Sequence, residues 1–212
     1  MVKPYYEEAG IVIYHGDCRE ILPTLPKVDL VLTDPPYGIG VTKMTLGNRK
    51  GAPIFRGVLE WDSEAFEMRS IAESGDSAII WGGNYFVLPP SRCWLVWDKG
   101  TGDNDFADCE LAWTNLDSVV KKFFRSWVGA NAKERSDVDR YHPTQKPVEV
   151  MAWALKLAPD TVRTVLDPFM GSGTTLIACK QAGLICTGIE REEKYCEVAA
   201  NRLRQGVLWG IE

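Results

Sequence analysis

The chain has 212 residues, 45% hydrophobic and 25% charged, with 24 Lys+Arg against 29 Asp+Glu and a formal net charge of −5. That length and composition predict one soluble globular domain over 1–212 and exclude a disordered chain. No apolar run reaches the ~18 residues of a membrane span, and the N-terminus lacks an apolar signal core, so a cytoplasmic protein with no membrane partner is expected.

Ile11 to Tyr14 is a short apolar run that ends at Gly16-Asp17, and Val28 to Thr33 is another that ends in Asp34-Pro35-Pro36-Tyr37. Ser63 is placed to cap a helix over Glu64 to Glu73. Ser77 to Trp81, closed by Gly82-Gly83, and Cys93 to Trp97, closed by Asp98-Lys99-Gly100, predict two more strands. Cys109 to Thr114 and Ser118 to Phe124 predict an antiparallel pair around Asn115-Leu116-Asp117. Pro147 suits the first turn of a helix through Leu157. Thr161 to Leu166 and Leu184 to Ile189 are further strands, with a helix from Thr174 to Gln181 between them that stops at Gly183. Glu192 to Arg204 is an amphipathic helix with Tyr195, Val198, Ala199 and Leu203 on one stripe.

Strands alternating with helices predict an α/β fold, a mostly parallel sheet with helices on both faces. Two stretches, 38–59 and 126–141, lack periodicity and exceed the usual connection of ~4–6 residues, which marks them as functional loops. The six cysteines form no Cys-x-x-Cys pair, and His15 and His142 give no zinc spacing. Buried thiols in a reducing compartment, and no metal, are therefore expected.

Asp167-Pro168-Phe169-Met170-Gly171-Ser172-Gly173 joins a strand to a helix through a glycine turn, where the backbone can approach a ligand closely. The next strand ends in Glu190, the place where such sites bind ribose hydroxyls. A phosphate-binding loop would need Lys after Gly173, and a dinucleotide loop would need glycine in place of Leu176. Asp167 at the strand tip repels a pyrophosphate but suits an amino group. S-adenosylmethionine has the ribose, the α-amino group and the sulfonium that acidic neighbours favour. The competing possibility is a glycine turn used only for packing.

Asp34-Pro35-Pro36-Tyr37 also follows a strand, and ligands bind outside the carboxyl ends of strands in open α/β sheets. The prolines fix the backbone and remove two N–H groups, which leaves the Asp34 carboxylate and the Pro35 carbonyl as aimed acceptors. Tyr37 offers a flat face for stacking. An exocyclic amine on a nucleobase is a poor nucleophile, because its lone pair is delocalised into the ring. Two acceptors on its hydrogens localise that lone pair and offset the positive charge that develops as it takes a methyl group. The alternative is a stiff turn after a strand.

The Asp34-Pro35-Pro36-Tyr37 tetrapeptide, His142-Pro143-Thr144-Gln145-Lys146-Pro147, and the Asp167 to Gly173 loop occur in that order. Together they resemble the β-class amino DNA methyltransferases, over about His15 to Leu203. The resemblance implies a Rossmann-like S-adenosylmethionine-dependent fold, a seven-stranded sheet with permuted motif order, in which the strand before Asp17 lies beside the strand ending at Glu190. It implies catalytic roles for Asp34, Pro35 and Tyr37. It implies cofactor contacts for Asp17 near adenine, Thr144 and Lys146 at the methionine end, Asp167, Phe169, Gly171 and Gly173 in the loop, and Glu190 on the ribose. Double-stranded DNA is the implied partner, and a homodimer is compatible with the family.

No Cys follows a proline, so a cytosine-C5 thiolate mechanism is excluded. The family tends to carry Asp before Pro-Pro for adenine N6 and Ser for cytosine N4, and Asp34 favours adenine. Cytosine N4, an RNA or protein substrate on the same fold, and a non-catalytic DNA-binding subunit remain the alternatives. The Trp97 to Glu110 segment resembles small members of the family, with Asp108 and Glu110 placed to orient Lys99 or the loop after the catalytic strand, or simply to form a solvated turn before an antiparallel strand. Trp81 is expected to belong to the core. The segments 38–59 and 119–146 hold 11 basic against 3 acidic side chains in a chain of net −5. They are the expected DNA-contact loops, through Lys43, Arg49, Lys50, Arg56, Lys121, Lys122 and Arg125.

Overall fold

The structure is a computed structural model, described for residues 2–37, 67–100, 107–126 and 145–205. In chain order its elements are β1 (Tyr6–Glu8), β2 (Ile11–His15), α1 (Cys18–Ile21), β3 (Val28–Thr33), α2 (Met68–Ala72), β4 (Gly75–Trp81), β5 (Trp94–Asp98), β6 (Cys109–Thr114) and β7 (Lys121–Phe124), then α3 (Val148–Leu157), β8 (Thr164–Asp167), α4 (Thr174–Gln181), β9 (Ile185–Glu190) and α5 (Glu193–Arg204). The described strands form one sheet in the order β1-β2-β9-β8-β3-β4-β6-β5-β7.

Five central strands, β2, β9, β8, β3 and β4, run parallel. Their carboxyl ends therefore open on one edge, and β2 lies beside β9 with His15 opposite Glu190, as the resemblance implies. Both faces are covered. Val150, Met151, Ala154, Leu176, Cys179, Cys196, Ala199 and Leu203 from α3, α4 and α5 pack on one side. Cys18 and Ile21 from α1, with Met68, Ile71 and Ala72 from α2, pack on the other.

The sheet corrects two expectations. Among the described residues it is a mixed sheet of nine strands, where a mostly parallel sheet of seven was expected. On one flank β1 folds back antiparallel on β2 through Ala9 (φ 50°) and Gly10 (φ 81°), a two-residue turn whose left-handed backbone matches the strand twist. Tyr6-Glu7-Glu8 is too short and polar to announce itself as a strand. On the other flank β6 and β7 do not pair with each other. β5 lies between them, antiparallel to β6 and parallel to β7.

The reason lies in contacts made by the connection between β6 and β7. The Asn115 side chain accepts from the Ala78 N–H at 2.8 Å and donates to the Asp76 carbonyl at 3.3 Å, so it serves β4 rather than a hairpin turn. Leu116 is buried in the core. The chain must then pass the start of β5, where the Cys93 thiol donates to the Val119 carbonyl.

Helix ends follow their chemistry. Pro147 precedes α3, Gly173 with φ 82° opens α4, and Gly183 with φ 69° follows it. The helix expected from Ser63 is present from Met68, capped by the Glu67 carboxylate on the Ser70 N–H at 3.1 Å; its expected start lies outside the described residues. Five cysteines are buried, and Cys109 is exposed. Among the described residues no helix is long and apolar enough to cross a membrane.

Candidate active site

The carboxyl ends of neighbouring parallel strands each present an acid. Asp17 follows β2, Glu190 ends β9, Asp167 ends β8 and Asp34 follows β3. This row is the product of the strand order, which sets β2 beside β9 and β3 beside β8 from opposite ends of the chain.

At the β9 end, the Glu190 Oε2 accepts from the Gly171 N–H at 3.0 Å, and Oε1 accepts from the Glu192 N–H at 2.8 Å. Burial nevertheless pushes its carboxyl above the usual range. Gly171 has φ 51° with open space where a side chain would stand, whereas a Cβ on Gly173 (φ 82°) would meet Ala199 at 2.8 Å. The first glycine leaves room beside the loop, and the second lets α4 and α5 pack. Asp167 is 2% exposed, accepting from the Thr33 hydroxyl at 2.6 Å and the Phe169 N–H at 3.1 Å. Burial raises its pKa to about 6, against those hydrogen bonds. Asp17 caps α1 through the Arg19 N–H at 2.9 Å, and its bonds to the Arg19 guanidinium hold its pKa down.

At the β3 end the acids meet lysines. Lys146, which precedes α3, puts its ammonium 2.6 Å from Asp34 Oδ1, 2.7 Å from Glu110 Oε2 and 2.9 Å from the Tyr37 hydroxyl. Tyr37 donates to Asp34 Oδ1 at 2.8 Å. Lys99 holds the other Glu110 oxygen, Oε1, at 2.5 Å. Burial pushes the Asp34 carboxyl up, with Lys146 pulling against it and Glu110 adding to it. Burial also works against ionisation of Glu110, but Lys146 and Lys99 outweigh it and hold that carboxyl at about 2. Tyr37 is pushed well above its ordinary value by burial and by the two carboxylates. Burial alone would lower Lys146, yet Asp34 and Glu110 raise it, so it stays a cation.

The ring of Tyr37 stacks on Tyr85 at 5.0 Å and 23°, and meets Phe86 edge-on at 6.4 Å. Gly82, left-handed at φ 68°, makes its seat: a Cβ there would lie 2.1 Å from the Tyr37 ring. Trp81 is fully buried, as expected of a core residue, with the Lys146 ammonium 5.3 Å from its ring centre. Its indole N–H has no hydrogen-bond partner among the described residues.

The two halves meet. One cleft is lined by Asp34, Gln145, Lys146, Asp167, Phe169, Gly171 and Ser172. Asp34, Pro35, Tyr37, Asp17, Lys146, Asp167, Phe169, Gly171, Gly173 and Glu190 thus all stand along one edge of the sheet. Lys146, assigned by the resemblance to the cofactor side, turns its ammonium to Asp34 and Glu110. Thr144, Lys43, Arg49, Lys50 and Arg56 lie outside the described residues. Lys122 pairs with Asp98 at 3.1 Å and Arg125 with Glu149 at 3.2 Å, while Lys121 is exposed at the start of the outermost strand β7. Sequence reasoning singled out the Trp97 to Glu110 segment without finding that Glu110 joins Asp34. It noted Gly82 without finding Tyr37 on it; the paired glycines after a strand were the available signal.

Comparison with known proteins bears out the resemblance to the amino DNA methyltransferases. Residues 101–201 match a family model described as DNA methylase. The type II methyltransferase M.ScaI of Streptomyces caespitosus is 28% identical over 95% of this chain and 84% of its own length. M.HinfI of Haemophilus influenzae is 27% identical over 97% of this chain and 71% of its own. The fold is that of the M1.HpyAVI–SAM complex, with TM-score 0.57 and 24% identity over 91% of this chain and 98% of that one. It is also that of the cytosine-N4-specific PvuII DNA methyltransferase, with TM-score 0.61 and 16% identity over 94% of this chain and 88% of that one.

Proposed function

We propose that this protein is a DNA methyltransferase that uses S-adenosylmethionine to methylate the exocyclic N6 of adenine within a short target sequence. The observation that carries this reading is the shared cleft, in which Asp34 of the Asp-Pro-Pro-Tyr turn stands beside Asp167, Phe169 and Gly171 of the glycine loop.

The loop suits the cofactor. Open space beside Gly171 admits a ligand, and each Glu190 oxygen, already bonded once to a backbone N–H, keeps a lone pair for a ribose hydroxyl. Asp167 provides buried negative charge for a cationic ligand. When bound, S-adenosylmethionine supplies a methyl group from its sulfonium and leaves as the neutral thioether. Asp34 and the Pro35 carbonyl accept the two amine hydrogens and stabilise the charge that develops on nitrogen. The extra proton then passes to the Asp34 carboxylate or to water. Extruding the base costs a few kcal/mol of stacking, on the order of what an aromatic platform such as Tyr37 with Tyr85 recovers in part.

The test is incubation of the purified protein with labelled S-adenosylmethionine and mixed-sequence duplex DNA or RNA, followed by modified-base mapping. N6-methyladenine in duplex DNA is the expected product. N4-methylcytosine would move the assignment to the other amino base, and label in RNA alone would overturn the DNA reading.

A further inference from the structure

Building on that proposed function, we propose that Glu110, backed by Lys99, is a positioning residue that shares Lys146 with Asp34 and so keeps Asp34 available to the substrate amine. The geometry carries this. An ammonium has three hydrogens, and Lys146 has three acceptors within 2.6–2.9 Å: Asp34, Glu110 and Tyr37. The Asp34 bonds to Lys146 and Tyr37 both fall on Oδ1. The side chain of Lys146 is 4% exposed, so solvent screens the sharing little.

With Asp34 as its one anionic partner, a buried ammonium would lock onto that carboxylate. A neutral amine meeting the other oxygen, Oδ2, would then find a carboxylate whose charge the ammonium already draws to Oδ1, because charge-assisted hydrogen bonds are roughly twice as strong as neutral ones. A second carboxylate at 2.7 Å changes the balance. As an amine approaches Asp34, Lys146 shifts its weight to Glu110 without leaving its cavity. Positive charge developing on the substrate nitrogen then meets a carboxylate whose resident cation has moved away. Lys99 holds Glu110 from the opposite side at 2.5 Å, which fixes its rotamer and keeps it ionised. Trp81 and Trp97 complete the mount, each with a lysine ammonium 5.3 Å from its ring.

The fold explains why the second carboxylate is there. Glu110 stands at the start of β6, opposite Trp97 of β5, where the antiparallel strand enters beside the carboxyl end of β4. The departure from a parallel sheet is what brings a residue on a different strand to Asp34. Among the described residues, the charged and titratable groups around Asp34 are Tyr37 in its own turn, Lys146 before α3, Glu110 on β6 and Asp167 on β8; Lys99 acts through Glu110.

The experiment compares the whole protein with Glu110→Gln, Glu110→Asp and Lys146→Gln, by methyl incorporation into duplex DNA at saturating cofactor across pH. Glu110→Gln is expected to lower kcat by about 10–100-fold, with S-adenosylmethionine affinity within about twofold, when both proteins are compared well below their melting temperatures; its melting temperature falls, because Lys146 and Lys99 lose a buried counter-ion. Glu110→Asp, which keeps the charge, recovers part of the rate. The acid limb of kcat moves to lower pH in Glu110→Gln, because an anion beside Asp34 is gone. It moves to higher pH in Lys146→Gln, because the cation is gone. A wild-type kcat in Glu110→Gln, limbs that move the same way, or a rate loss in Glu110→Gln that Glu110→Asp does not partly recover would overturn the proposal. A wild-type protein that methylates no DNA would remove the proposed function and this inference together; an active wild type with an indifferent Glu110→Gln removes the inference alone.

Discussion

The row of acids along the sheet edge is held in two different ways. At the β3 end Asp34 and Glu110 share the buried ammonium of Lys146, with Lys99 closing a charge-balanced quartet. At the β8 and β9 end Asp167 and Glu190 take backbone N–H groups and a threonine hydroxyl, and burial raises both carboxyls. The first arrangement suits a neutral substrate that gains charge during the reaction, since its resident cation makes way as charge develops. The second suits a ligand that arrives already charged, since carboxylates held by dipoles keep their full attraction for it. One edge of one sheet thus carries a transient site for charge and a standing one.

The contrast is tested most severely at Asp34. Asp34→Ala should lower methyl transfer by about 10²–10³-fold, as loss of a group that stabilises developing charge does, with cofactor affinity retained in calorimetry. Unchanged turnover would take Asp34 out of the chemistry. The mirror change, Glu190→Ala, should weaken S-adenosylmethionine binding about tenfold or more, since hydrogen bonds to a charged acceptor contribute roughly 1.5–3 kcal/mol each. A dissociation constant equal to the wild type would refute that placement.

The standing site also has a cost visible in stability. Folding raises Asp167 from 3.8 to about 6, so the folded chain holds that proton more tightly than the unfolded one. Its contribution is therefore most favourable below 3.8 and is lost as pH rises through about 6. Asp167→Asn, whose amide oxygen still accepts from Thr33 and Phe169, should raise the melting temperature at pH 7, by at most about 3 kcal/mol of stability. The gain should fade on titration toward pH 4, while cofactor binding weakens. An equal gain at both pH values would contradict the burial argument.

The smallest effect belongs to the flank. Neutralising Lys121, Lys122 and Arg125 together should weaken DNA binding a few-fold and lower its salt slope by about one to three, because two of the three already answer Asp98 and Glu149. A salt slope identical to that of the wild type would leave them as ordinary surface.

Much of this was legible in the chain. The parallel core was, because buried strands are short apolar runs, and three of them end in the residues to which the proposed chemistry is assigned: Asp34-Pro35-Pro36-Tyr37 after β3, Asp167 to Gly173 after β8, Glu190 at the end of β9. The flanks were less so. β1 is three residues long and mostly polar, and the β6–β7 connection looked like a hairpin because the side-chain bonds that prevent it join Asn115 to residues 37 and 39 positions earlier. Local pattern reports which residues form a strand, but pairing depends on partners the pattern does not contain.

By itself the sequence determined the α/β class, the strand-end motifs and their order, and the resemblance those motifs carry. Backbone conformation and turn chemistry are local, so they are written where they act. The tertiary structure alone decided that β5 separates β6 from β7, that Gly82 seats Tyr37, and that Lys146 lies between Asp34 and Glu110. Those three are contacts between separate segments, from the consecutive strands β5, β6 and β7 to Lys146 and Asp34, 112 positions apart. An ammonium finds its counter-ions by distance and burial, and neither is defined until the sheet has closed.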